Sequence, residues 1–297
     1  MMIESLKVFI TVIEQNSFSR AADELFLSQP SVSLHIRNLE NEFATKLIHR
    51  SPKHLELTAS GRILYDRAQE ILILYEEARE KINDMRHVVT GTLKIGASFT
   101  IGEYILPRFL AEVASEYPNV DVQVTIANTE AIFQALRQNQ LDIGLVEGSV
   151  NETWLEVEPF MQDEMILILA NTHPLANLAK VTPQDLQNQV WILRETGSGT
   201  RAFSEQMIQK LDVQMKRSFV FSSSEGVKEA VIHGLGIAIV SRLIVRKELV
   251  ARELTTIPIR ARQKLQFTRQ LVILHSKEPS GSKALHEFLG KLRVFEL

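Results

Sequence analysis

Between residues 64 and 85 the positions Leu64, Ala68, Ile71, Tyr75, Ala78, Ile82 and Met85 follow one another in alternating steps of four and three. That is a repeat of about 3.5 residues held for three heptads, a period that keeps one seam of a helix facing a partner helix instead of drifting around it. A helix of about thirty residues is a rod of roughly 45 Å, and a seam of that length needs a second helix to cover it. The pattern therefore predicts a dimer joined through a linker helix over residues 59–90, with Leu64, Ala68, Ile71, Tyr75, Ala78 and Ile82 at the contact.

The rod separates two stretches of different texture. Before it, Leu6, Phe9, Ile10 and Ile13 repeat at helical spacing in "ESLKVFITVIEQN", a helix that stops near Asn16. Ser19 can cap a second helix, whose small face is Ala21, Ala22, Leu25 and Phe26. Ser28 caps a third, Pro30 sits in its first turn where the missing N–H costs nothing, and Val32, Ile36 and Leu39 form its buried stripe. Two short helices joined by "FLSQ" and leading into a polar-faced third predict a helix-turn-helix over about residues 18–37. "HRSPKHLELT" reads as a Pro-bent hairpin, and Thr58 or Ser60 opens the long helix.

After Gly91, short apolar strands alternate with helices: "TLKIGAS", a helix from Ile101, "DVQVTIA", a helix from Glu130, "DIGLVEG", "MILILA", "VWILRE", a helix from Thr200, "SFVFSS", a helix from Glu225, "GIAIVS" and "QLVILHS". This alternation predicts α/β units with mostly parallel sheet, and the length suffices for two small subdomains with a cleft between them. With 297 residues, 45% of them hydrophobic, each part can bury its own core. The start lacks a basic stretch followed by an apolar one, and no uncharged apolar run reaches the roughly 18 residues that span a bilayer. A cytoplasmic protein with no membrane partner is expected. Zero cysteines exclude disulfides and thiolate metal sites; no metal or cofactor is expected.

Charge narrows the nucleic-acid surface. Over residues 1–58 six basic side chains face seven acidic ones, which excludes a nonspecific basic domain. Residues 28–54 alone hold Arg37, Lys46, Arg50 and Lys53 against Glu40 and Glu42, so the positive field is confined to the third helix and the hairpin. A major groove admits such a helix, and Gln29, Ser31, Ser33, Leu34, His35, Arg37 and Asn38 lie opposite its apolar stripe. Arg50 and Lys53 flank Pro52 at the hairpin tip, where a wing would meet phosphate or minor groove. In the second stretch, "SFTIGEYILP" puts Ser98 and Thr100 between a strand and a helix, and "RETGSGTR" does the same with Gly199, Thr200 and Arg201. Hydroxyls and free amides at two such turns suit a small anion or carboxylate held between two walls.

Rival classes fit less well. The chain has no G-x-x-x-x-G-K-[ST], complete G-x-G-x-x-G, G-x-S-x-G or H-E-x-x-H, so no enzyme is expected. A cytoplasmic small-molecule-binding protein without DNA-directed regulation would leave the first ninety residues without a purpose.

The stretches "FITVIEQNSFSRAADELFLSQPSVSLHIRNLE", "LIHRSPKHLELTASG", "HPLA" at 173–176 and "GLGIAIVSR" at 234–242 resemble, in that order, the LysR-type transcriptional regulators. "SPKH", "SFTIGEYILP", "RETGSGTR" and "EGVKEAV" are similar to the Bacillus sulfur-assimilation subgroup of that family. The resemblance implies a winged helix-turn-helix DNA-binding domain at 1–58, the linker helix at 59–90, and an effector-binding regulatory domain at 91–297 built like a periplasmic binding protein. Its two Rossmann-like subdomains would be 91–162 with 267–297, and 163–266. Double-stranded promoter DNA, a small anionic or carboxylate effector and further copies of the chain in a tetramer are the partners it implies, and it admits RNA polymerase as another. It raises Gln29, Pro30 and Ser33 as DNA contacts, and adds Ile101, Thr129 and Glu147 to the effector pocket. Glu147 does not suit a purely anionic ligand; an amine on the ligand, a pair with Arg201 and a gate all remain open. Many relatives carry arginine at Leu34 and proline at Ser241, so transfer of contacts stops at those two positions.

Overall fold

The structure, a computed structural model, describes residues 2–50, 55–84, 89–148, 152–261, 265–277 and 282–297. The chain divides into two compact units, residues 1–86 and 87–297.

In the first unit, α1 (Met2–Glu14) turns Leu6, Val8, Phe9 and Val12 into the core and ends before Asn16, which takes a left-handed φ of +46°. Ser17 caps α2 (Phe18–Glu24), its hydroxyl accepting from the Arg20 amide. The expected cap, Ser19, is already inside that helix, because Phe18 packs against the core and brings the chain into helical geometry early. Ser28 caps α3 (Gln29–Glu42) by accepting from the Ser31 amide, with Pro30 in the first turn and Val32, Ile36 and Leu39 buried. Glu40 then ties the end of α3 to the hairpin, accepting from Lys46 Nζ at 2.7 Å and from the Leu47 amide at 3.1 Å. The hairpin pairs β1 (Ile48–Arg50) antiparallel with β2 (Leu55–Leu57). Lys53 and the side chain of Arg50 lie outside the described residues.

Helix α4 (Ala59–Asp84) starts at Thr58, whose hydroxyl accepts from the Gly61 amide at 2.9 Å and donates to the Lys46 carbonyl at 2.7 Å. The helix lies so close to the hairpin that a Cβ on Gly61 would stand 2.0 Å from the Leu47 carbonyl oxygen. Leu64 and Ala68 belong to the core of this unit, together with α1 and α3, which corrects their expected place in a dimer contact: the repeat begins as the inner face of its own domain. Further along, Ile71, Tyr75, Ala78 and Ile82 are exposed on one stripe; Met85 lies outside the described residues.

The second unit is built on β6 (Leu155–Ala170), sixteen residues long. Its first part pairs antiparallel with β11 (Thr268–Ser276). Beyond β11 come β5 (Ile143–Glu147), antiparallel to it, then β3 (Gly91–Ala97) and β4 (Val120–Ile126), each parallel to its predecessor. From Met165 onward β6 instead pairs antiparallel with β9 (Ala238–Ser241) and β10 (Leu254–Thr256). A parallel pair, β7 (Val190–Arg194) and β8 (Arg217–Phe221), joins this half through a bridge between Trp191 and Ile237. The sheets are thus mixed, not mostly parallel, because the strands that return the chain run against the local strand-helix-strand units. Helices α5 (Phe99–Tyr104), α6 (Leu106–Glu116), α7 (Thr129–Arg137) and α11 (Lys283–Leu292) belong to the first lobe. Helices α8 (Gly199–Lys210), α9 (Ser224–Ile232) and α10 (Arg246–Ala251) belong to the second. Each lobe has its own buried cluster, one around Phe109 and Phe288, the other around Trp191 and Met207. Among the described residues no helix is long and apolar enough to cross a membrane.

Gly61→Ala should destabilise the first unit by about 1–3 kcal/mol, since backbone cannot yield to the new methyl as a flexible side chain would. At an open helical position the same change would stabilise by about 1 kcal/mol. Chemical denaturation of the full chain gives the sign directly.

Candidate nucleic-acid interface and effector cavity

Helix α3 presents two faces. Opposite the buried Val32, Ile36 and Leu39, the side chains of Gln29, Pro30, Leu34, Arg37 and Asn38 are exposed, and Ser31 and Ser33 are half-buried. Gln29 Nε2 donates to Ser33 Oγ at 3.0 Å, and the Ser28 and Ser31 hydroxyls bond at 2.8 Å, so this face holds its donors and acceptors in place while unbound. His35 does not belong to it. Its Nδ1 lies 2.9 Å from the buried Ser5 hydroxyl, because at its position the helix turns toward α1. That removes His35 from the expected outward-facing set.

The second unit contains a cavity of about 700 Å3 in which Thr129, Glu147, Gly199, Arg201, Phe203 and Arg269 take part in the lining. This is within the range of small-molecule sites. A hollow of about 660 Å3 elsewhere, at Thr182, Gln187, Lys210 and Arg260, holds no buried charged side chain among the described residues. Four of the expected residues, Thr129, Glu147, Gly199 and Arg201, are therefore brought together. Gly199 is required by proximity, since a Cβ there would stand 2.8 Å from that of Glu147. Thr129 Oγ1 donates to Glu147 Oε2 at 3.2 Å.

Arg269, absent from the residues expected on sequence grounds, organises the site. Its guanidinium is buried and donates to Asp163 Oδ2 at 2.8 Å, to Thr200 Oγ1 at 3.0 Å and to Thr100 Oγ1 at 3.1 Å, and it stands 3.4 Å from Glu147 Oε1. Thr100 and Thr200 are thus the acceptors of one cation, one from each lobe, and both are buried behind it. Ser241 Oγ donates to Asp163 Oδ1 at 2.6 Å, a bond that proline at this position could not make. Burial pushes the Asp163 carboxyl above its usual range, against the opposing pull of Arg269 and Ser241. Glu147 pairs with Arg269 and not with Arg201, which donates instead to Glu205 and to the Arg194 carbonyl.

Two expected residues are placed differently. Ile101 is fully buried in the first lobe's apolar cluster and takes no part in lining this cavity. Ser98 precedes a helix of six residues, yet its hydroxyl forms no cap and is buried without a partner. Nearby, the lobes are strapped together. Asn128 Nδ2 donates to Glu195 Oε1 at 3.1 Å, the Glu130 amide donates to the Gly197 carbonyl at 3.1 Å, and the Arg194 guanidinium stacks 4.4 Å from the Phe99 ring centre. Gly197 makes this approach with a φ of +88°, a conformation that favours glycine. Among the described residues no cluster of three or more His, Cys, Asp or Glu is placed to hold a metal.

The arginine does leave a signal in the sequence. On a strand, residues two apart share a face, so Arg269 stands in phase with Leu271 and Ile273, both fully buried. A cation at a core-facing position requires buried partners.

Comparison with known proteins agrees over the full length. Residues 3–62 match the bacterial regulatory helix-turn-helix protein, lysR family, and residues 86–294 match the LysR substrate binding domain. The chain is 46% identical to the HTH-type transcriptional regulator CysL of Bacillus subtilis, over 99% of this chain and 97% of that protein. Full-length OxyR from Pseudomonas aeruginosa has the same fold, with a TM-score of 0.73 at 21% identity, covering 99% of this chain and 95% of that one. The CcmR regulatory domain of Synechocystis in complex with 2-PG aligns with a TM-score of 0.63 at 26% identity, over 69% of this chain and 96% of that one.

Arg269→Met should cost about 3–5 kcal/mol at neutral pH, because it strands two buried carboxylates. A carboxyl whose folded pKa lies above the unfolded value loses stability as pH rises through the folded one, and Asp163 is already shifted that way. The deficit should therefore widen as pH rises above about 4 and narrow again in the Asp163→Asn/Arg269→Met double variant. Thermal unfolding across pH measures both.

Proposed function

Because the chain belongs to the LysR family of transcriptional regulators, we propose that it reads double-stranded DNA as a dimer whose affinity or spacing responds to a small acidic effector. In this reading residues 1–58 are the DNA-binding domain, 59–90 the linker helix, and 91–162 with 267–297, and 163–266, the two effector lobes. Gln29, Pro30, Ser31, Ser33 and Arg37 meet the major groove, and Arg50 and Lys53 meet phosphates. The exposed stripe of Ile71, Tyr75, Ala78 and Ile82 pairs with its counterpart in a second copy. The protein works in the cytoplasm, and the similarity to CysL supports a role in sulfur metabolism.

The observation that carries the ligand-responsive half is Arg269, one guanidinium bonded to a hydroxyl from each lobe beside a cavity of suitable size. An acidic group entering past Gly199 and Arg201 competes with Glu147 for Arg269, whose contact with Glu147 is the longest of its four. The 2-PG complex of CcmR supports an acidic ligand in this fold. Response also requires that the ligand bind one arrangement of the lobes better than another, since equal affinity would shift nothing.

A thermal-shift panel of sulfate, sulfite, 2-PG and small dicarboxylates should yield at least one stabilising compound, worth about 2.7 kcal/mol at a concentration a hundred times its Kd. Thr100→Val and Thr200→Val, each removing one of the acceptors that hold Arg269 in place, should each weaken that shift and leave DNA affinity intact. On the DNA side, the Arg50→Ala/Lys53→Ala double variant should reduce the slope of log K against log salt by about 2, roughly 0.9 for each phosphate that is no longer neutralised. An unchanged slope would remove the hairpin from the phosphate-binding surface.

A further inference from the structure

We propose that Leu34 reads a thymine methyl group, and so fixes a thymine in each half of the DNA site; the inference rests on α3 being the helix that enters the groove. At about 100° of turn per residue, Leu34 lies about 180° from the midpoint of Val32 and Ile36. Those two residues are buried in the core. Leu34 is therefore as far from its own protein as the helix allows, and it is 54% exposed. One turn on either side stand Pro30, Arg37 and Asn38, all exposed as well. The centre of the outward face is thus a branched apolar side chain beside Pro30, with Arg37 and Asn38, which can bond to phosphates or base edges, one turn on.

Leucine offers neither donor nor acceptor. Among the base-edge groups of the major groove, the apolar one is the C5-methyl of thymine; the others are the acceptors of guanine, the amino group of cytosine, the paired acceptor and donor of adenine, and the O4 acceptor of thymine beside its methyl. Set against guanine or cytosine, Leu34 would take a polar edge out of water and leave it unbonded, which is unfavourable. Set against thymine, it removes two apolar surfaces from water at once. Pro30, four residues earlier on the same face, adds apolar surface beside it. Selectivity for thymine then follows from what Leu34 lacks as much as from what it touches.

The test uses the full chain. Selection from a random duplex pool gives a preferred site, and each thymine of that site is then replaced in turn by deoxyuridine, which deletes only the methyl. Replacement at one thymine in each half-site should weaken the native protein by about three- to fivefold, the equivalent of one buried methyl. Leu34→Ala should bind the thymine and uracil sites equally, with an unchanged melting temperature, since the side chain makes no core contact. A preferred site at which no deoxyuridine matters, or matters equally to native protein and Leu34→Ala, overturns the inference alone. A changed sedimentation profile for Leu34→Ala with methyl sensitivity intact also overturns it, assigning Leu34 to self-association. If no preferred sequence emerges, the reading of α3 fails and takes this inference with it.

Discussion

One buried guanidinium sets the geometry of the second unit. Arg269 and Asp163 are direct partners in the antiparallel register of β11 and β6, so the ion pair is fixed by strand pairing before any helix is placed. A slip of one residue would turn Arg269 to the opposite face. Asp163 lies just before the point where β6 leaves β11 for β9, and Ser241, the last residue of β9, supplies its second hydrogen bond. Thr100 and Thr200 sit in the first turns of α5 and α8, which follow β3 and β7. The same charge therefore gathers acceptors from both lobes at the strand where they join. Arginine suits this place, since it stays protonated and its planar fork can serve several acceptors together. Of the two buried carboxylates that share this cation, Glu147, with its longer contacts, is the one that lines the cavity.

Legible in the sequence is whatever local spacing controls. The helices of the first unit, the cap at Ser28, the hairpin and the strand-helix alternation of the second unit depend on neighbours within a few residues, and they lie where the spacing puts them. Spacing alone does not choose between Ser17 and Ser19, because both are plausible caps and only the packing of Phe18 separates them. The mixed sheet is not legible, since the pairing of β6 with β11 joins segments about a hundred residues apart. Helical periodicity misplaces His35 for a similar reason: its partner Ser5 is on another helix, thirty residues away. Arg269 escapes a local reading because the turns carrying Thr100 and Thr200 look complete in themselves; the cation that bonds both comes from a distant strand.

The heptad repeat shows how far periodicity can be trusted. A period reports that one side of a helix is apolar, but not whether its own domain or another copy covers that side. Leu64 and Ala68 are covered internally, whereas Ile71 and Ile82 are not. The division falls where α4 passes the edge of the core formed by α1, α3 and the hairpin.

That division constrains how a signal can act on DNA reading. The start of α4 is fixed to the hairpin by Thr58 and by the close approach of Gly61 to Leu47, and to the core by Leu64 and Ala68. Close-packed interiors resist continuous deformation, so changing the angle between α3 and the first turns of α4 would mean breaking that core. Past Ala68 the helix makes no such commitment on its exposed stripe. With two α4 helices paired as proposed, a ligand that changes the regulator's grip on DNA therefore has its least costly route in how the two rigid heads are spaced, and its most costly route in α3 itself.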